Sequence, residues 1–174
     1  MEQGKDSAKN RIKQSFCDLL RHKSYEDLTI SDIVRNAGVA RVTFYRVYGG
    51  IDDVLTSVVQ ECYEILRNEV FVHLAAREFD KLYEPIYRMM IAIRDDQWQY
   101  SVLRVLHVSV VAGKLEAYIY KKHKNDARNY TDKYMIASQC GIIIAILHTW
   151  CYTEYVESPE VMAAMIVDLL EKTR

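Results

Sequence analysis

Thr29, Arg41, Thr43, Tyr45 and Arg46 fall in one short stretch that holds no acidic residue between Asp32 and Asp52. Hydroxyls and guanidinium groups at that density are hydrogen-bond donors carrying positive charge, and closely spaced phosphates are the acceptors they suit. They do not pair a nucleophile with a base. The other reactive types are scattered. His148 and Cys151 share a helical face, and Cys140 lies on it too. On a helix, however, Cys140 and Cys151 stand about 16 Å apart, too far for one metal ion. The sequence also lacks HExxH, phosphate-loop, GxGxxG and GxSxG patterns. No metal, no cofactor and no catalytic residue is therefore expected.

The donors require short, rigid elements to aim them. Thr29 stands three residues before Asp32, the T-x-x-D form of a capping box. Ile33, Val34 and Ala37 follow at helical spacing, then Gly38, where a left-handed residue would end the helix, and Val39, which supplies the usual apolar contact after such a stop. A second short helix from about Arg41 turns Phe44, Val47 and Tyr48 inward and breaks at Gly49 and Gly50. A step of 100° per residue sets Val42, Tyr45 and Arg46 on the outer side. Two short helices joined by a tight glycine turn make a helix-turn-helix. Ahead of them, a helix over about 7–23 carries Ala8, Ile12, Phe16, Leu19 and Leu20 on one face, with Asp6 or Ser7 as its cap.

From Ile51 the helical pattern resumes through Val54, Leu55, Val58, Cys62, Ile65 and Leu66 to about Leu74. Further helices are expected at about 79–94, 97–105, 108–123, 132–156 and 159–172, the last with Ser158 as cap and Pro159 at its first position. Strand punctuation is nearly missing. The reading is an all-α protein with a three-helix helix-turn-helix domain over 1–50 and a helical domain over 51–174. Half of the 174 residues are apolar, which excludes disorder. The longest apolar run, 142–147, is far short of the roughly 20 residues of a membrane span. Scattered cysteines and no secretory leader pattern point to the cytoplasm. Residues 1–50 hold nine Lys and Arg against six acids, whereas the rest holds fourteen against eighteen, so the basic excess sits at the helix-turn-helix end.

Residues 29–55 resemble the TetR family of bacterial transcriptional regulators. The features that carry the likeness are Ile33, Ala37-Gly38-Val39, Thr43-Phe44-Tyr45, the aromatic Tyr48 and the acidic pair before Leu55. The likeness covers roughly residues 8–58. It implies that Thr43 and Tyr45 hold phosphates and that Arg41 and Val42 meet base edges in the major groove, Arg41 at guanine and Val42 at a thymine methyl. Thr29 and Arg46 complete the implied contacts to double-stranded DNA. Three positions depart from the family pattern: Ala40 in place of the usual Ser or Thr, Val42 where Gly is common, and Ile51 in place of a frequent Lys. The last departure shifts phosphate binding onto Lys5, Lys9 or Lys13.

The resemblance further implies a homodimer on a near-palindromic operator, acting as a repressor and released by an effector in the C-terminal domain. That effector is either a small molecule or a protein. Residues 75–174 include both tryptophans, Trp98 and Trp150, and most of the tyrosines, a load that suits a ligand cavity or an ordinary core. The candidate pocket residues are Tyr87, Trp98, Leu103, His107, Tyr118 and His148. Ile143, Leu147, Trp150, Tyr152, Met162, Met165, Ile166 and Leu169 suit either a four-helix seam between two copies or an intrachain core.

Overall fold

A computed structural model describes residues 2–76, 78–95, 113–114, 117 and 130–172. Among the described residues every regular element is helical. The first four are α1 (Glu2–Leu20), α2 (Ile30–Ala37), α3 (Arg41–Val47) and α4 (Ile51–Leu66). A π-helical turn (Arg67–Phe71) runs on into α5 (Val72–Ala75), and a 3-10 turn (Phe79–Lys81) precedes α6 (Tyr83–Arg94). The chain ends in α7 (Tyr130–Tyr152) and α8 (Pro159–Lys172).

The first three helices close on a small core. Ile12 and Phe16 of α1, Ile33 of α2 and Phe44 of α3 are wholly buried, and Leu20, Ala37 and Tyr48 pack with them. Both ends of α2 follow from its sequence. Asp32 N–H donates to Thr29 Oγ1 at 3.1 Å and Thr29 N–H to Asp32 Oδ2 at 3.3 Å, a complete capping box. At the other end Gly38 adopts φ 61°, with Gly38 N–H on the Arg35 carbonyl and Val39 N–H on the Val34 carbonyl. That pairing is the Schellman stop that the Gly-Val pair foretold. Gly49 N–H donates to Asp53 Oδ2 at 2.9 Å, and a Cβ at Gly49 would displace that carboxylate.

α4 leaves this core and enters the next. Val54, Val58, Cys62, Leu66, Val70 and Leu74 recur every fourth residue, and all are buried. In a straight α-helix a four-residue step overshoots one turn by about 40°, so the series would wind roughly 200° around the axis. The π turn inserts one residue and takes back about 100° of that drift. α6 and α8 complete the second part of the core with Ile86, Met90, Ile93, Met162, Ile166 and Leu170.

Four expectations about element limits need correction. α1 begins at Glu2, so Asp6 and Ser7 lie inside it rather than capping it. It stops at Leu20, where Arg21 and His22 turn back onto the Asp18 and Leu19 carbonyls. Phe79 opens a 3-10 turn, and the α-helix starts at Tyr83. α7 ends at Tyr152, because Glu154 N–H bonds the Cys151 carbonyl and Tyr155 N–H the Trp150 carbonyl, a second Schellman stop. Glu154 and Tyr155 take φ of 56° and 59° there, with the Tyr155 ring edge-on to Trp150 at 4.9 Å. Ser158 does cap α8, accepting from Val161 N–H at 3.4 Å. The helices expected at 97–105 and 108–123 lie mainly outside the described residues.

Candidate nucleic-acid interface

Asp32 organises the start of α2. Its carboxylate accepts from Lys23 Nζ at 2.6 Å, from Thr29 Oγ1 at 2.7 Å and from Arg35 Nη2 at 2.9 Å. Hydrogen bonding from Lys23, then from Thr29, holds the carboxyl at about 2, below its ordinary 3.8. The Thr29 hydroxyl is thus engaged in the cap, with its oxygen on the Asp32 amide and its hydrogen on the Asp32 carboxylate.

α3 presents the opposite character on its two sides. Phe44 is buried, with Tyr48 beside it at the helix end, while Val42 is 76% and Tyr45 51% exposed. Arg41 and Arg46 are exposed and Thr43 is half-buried, so α3 turns two guanidinium groups outward without an acidic residue of its own. Tyr45 leans edge-on against Phe44 at 5.7 Å, which fixes the ring and leaves its hydroxyl at the surface. Arg41 Nη1 donates to Ser31 Oγ at 3.2 Å and Nη2 to the Tyr45 hydroxyl at 3.3 Å. Ala40 makes no side-chain cap, as its methyl dictates. Ser31 escaped the sequence reading, because nothing in the one-dimensional pattern places an α2 hydroxyl against the first residue of α3.

The supporting lysines divide. Lys9 is exposed, whereas Lys13 is 6% exposed and ion-paired with Glu61 of α4. Lys13 is therefore a clamp between α1 and α4 and not a phosphate ligand, since burial against a carboxylate leaves it no reach outward. Ile51, in the place of a basic residue, is half-buried and packs against the core.

Of the six candidate pocket residues, Trp98, Leu103, His107 and Tyr118 lie outside the described residues. Tyr87 donates to Glu160 Oε1 at 2.9 Å and stacks on Tyr83, tying α6 to α8. His148 is half-buried on α7. Neither lines the groove of about 430 Å³ beside the π turn, whose walls are Ile65, Glu69 and Val70 on one side and Arg88, Met89 and Ala92 of α6 on the other. Its charged rim is the Arg88–Glu69 pair at 3.4 Å. Nothing in the residue pattern marks this groove, because the π turn that shapes one wall has no residue signature. Among the described residues no three His, Cys, Asp or Glu converge as a metal site, and no helix is long and apolar enough to cross a membrane.

A capped helix, a left-handed glycine and a second helix whose outer side is cationic and hydroxylic define a helix-turn-helix protein. The profile of the family described as "Bacterial regulatory proteins, tetR family" matches residues 17–58. A protein of Bacillus subtilis (strain 168) named "Uncharacterized HTH-type transcriptional regulator YxbF" is 37% identical over 57 residues, which is 32% of this chain and 15% of that relative. The chain thus spans well under two thirds of the curated relative it matches. Over residues 17–58 the chain is thus similar to the TetR family.

Proposed function

We propose that the protein is a sequence-specific DNA-binding transcriptional regulator that acts as a homodimeric repressor and leaves its operator when an effector binds the C-terminal domain. Residues 1–50 are the reader, and residues 51–174 sense and dimerise. The observation that carries this reading is the outer side of α3, where Arg41, Val42, Tyr45 and Arg46 stand exposed on a helix held rigidly by Phe44. In this reading Arg41 and Val42 meet base edges, while Thr43, the Tyr45 hydroxyl and Arg46 hold phosphates. Thr29 lies beside them at the start of α2.

Two readers would occupy successive major grooves about 34 Å apart on a near-palindromic site. The seam that would space them lies on α7 and α8. Gly141, Ala145 and Thr149 form an exposed small-residue row on α7, with Thr153 just beyond its end, and Val161, Met165 and Leu169 form an exposed apolar row on α8. Small residues permit close helix approach, and the apolar row would fill the space between. The effector in this reading is either a small molecule or a protein, and the groove beside the π turn is a surface open to either.

Titration of random-sequence duplex with the whole chain at rising salt tests the reading. Binding should weaken steeply, with a log-log slope of about 0.9 per phosphate contacted. Arg46→Ala should reduce that slope by about one on every sequence alike. A complex indifferent to salt, or no complex at low salt, would overturn the proposal.

A further inference from the structure

Arg41, like Arg46 beside it and Arg11 on the Gly38 carbonyl, has no carboxylate partner among the described residues, but it alone of the three is held by two side-chain hydroxyls. Lys23 and Arg35 are neutralised by Asp32, and Lys13 by Glu61, whereas Arg41 is held by two uncharged hydroxyls. One hydroxyl belongs to Ser31 on α2 and the other to Tyr45, one turn further along α3. The guanidinium carbon also stands 5.8 Å from the centre of the Tyr45 ring. Each terminal nitrogen gives one hydrogen to a flank, and each keeps one more. The fork is thus gripped from both sides while its full charge and a parallel pair of N–H donors stay available.

Such a grip has a purpose in recognition and little in folding. A long arginine on a surface samples many rotamers, and ordering it on contact lowers affinity; a fork already ordered avoids that loss. Arg41 is the first residue of α3, the end of a recognition helix that meets base edges, and a parallel N–H pair matches the O6 and N7 acceptors of guanine. We propose that Ser31 is a positioning residue that fixes the Arg41 fork and so sets a guanine preference at one position of each half-site. The proposal rests on the DNA-binding reading above. Ser31 acts through Arg41 and does not itself touch DNA.

The test begins with the whole chain selecting its preferred duplex from a random pool. Ser31→Ala, Ser31→Thr, Arg41→Ala and the Ser31→Ala/Arg41→Ala double variant are then titrated on that duplex and on copies with each guanine replaced in turn. Ser31→Ala should weaken binding to the preferred duplex about five-fold, the loss of one hydrogen bond. It should flatten the preference at the same guanine that Arg41→Ala flattens, with the salt slope unchanged. It should add nothing in the Arg41→Ala background, and Ser31→Thr, which keeps the hydroxyl, should restore the preference. Matching thermal unfolding of Ser31→Ala and the parent separates this from a folding defect, since Ser31 is an exposed residue on a well-capped helix.

Three results would overturn the proposal. An equal loss on every duplex, additive with Arg41→Ala, would make Ser31 a direct backbone contact. An unchanged preference at every guanine would leave the grip without a role in recognition. Failure of the parent chain to select or bind any duplex would remove the DNA-binding reading itself, a result distinct from the other two.

Discussion

Lys13 illustrates how a single contact can reverse what composition suggests. Counted by charge, it belongs to the basic excess of the first fifty residues; in the fold it is buried on Glu61, 48 residues further along the chain. Truncation in Lys13→Ala would strand that carboxylate and open the α1–α4 contact. The expected cost is about 2 kcal/mol in a urea melt, less than for a fully buried pair because the Glu61 side chain is 35% exposed. The salt slope of DNA binding should stay as it was. A slope reduced by one at unchanged stability would return Lys13 to the phosphate-facing set. What the sequence did reveal at this scale is the sidedness of α3, because the 100° step separates Phe44 and Tyr48 from Val42 and Tyr45 whatever the surroundings. A partner 48 residues distant leaves no such periodic trace, and neither does the Ser31–Arg41 bond between two helices.

Helix ends were legible where the stop is built from residues that prefer it, and hidden where tertiary contacts impose it. α2 is the first kind. Its capping box carries an acid dependence through Asp32, whose folded value of about 2 lies below the ordinary 3.8. The stabilisation is complete above the unfolded value and drains as pH falls from near 4 toward 2. Asp32→Asn should therefore remove that share of the acid sensitivity in unfolding curves between pH 2 and 5, besides losing the ion pairs to Lys23 and Arg35. An unaltered pH profile would mean that the box does not couple to global stability. The end of α7 is the second kind. The same backbone stop is made there with Glu154 at φ 56°, where a glycine would be at ease, and the Trp150–Tyr155 ring contact sustains it. Glu154→Gly should raise stability by about 1 kcal/mol, despite the usual penalty for glycine, because the left-handed strain disappears. A lower melting temperature would show that the side chain of Glu154 contributes more than its backbone costs. The π turn after α4 belongs with this second kind: the four-residue apolar spacing was visible, but only packing on both sides decides whether the helix winds or inserts a residue to keep that series inside.

At the scale of the molecule, the sequence offered eight apolar residues of the last two helices as either core or intermolecular seam, and the fold divides them. Ile143, Leu147, Trp150, Met162 and Ile166 are buried within the chain, whereas Tyr152, Met165 and Leu169 are exposed, joined by Val161. Both sets obey helical spacing, so periodicity alone had no means of separating a face turned to α6 from one turned to a second copy. The division makes the dimer testable. Met165 and Leu169 are 39% and 36% exposed, so Met165→Asp and Leu169→Asp together should lower the melting temperature of the subunit by removing part of its own apolar packing, while its helical signal persists. If α7 and α8 form the seam, buried carboxylates facing one another would repel and remain unpaired, and sedimentation should report a monomer. Operator binding would then lose the advantage of two linked readers, a fall of about a hundred-fold or more, while each reader keeps its base preference and its salt slope per half-site. A variant that stays dimeric would move the seam elsewhere. One that becomes monomeric yet binds the whole site as tightly as before would show that a single reader suffices, and the palindromic operator would lose its physical basis.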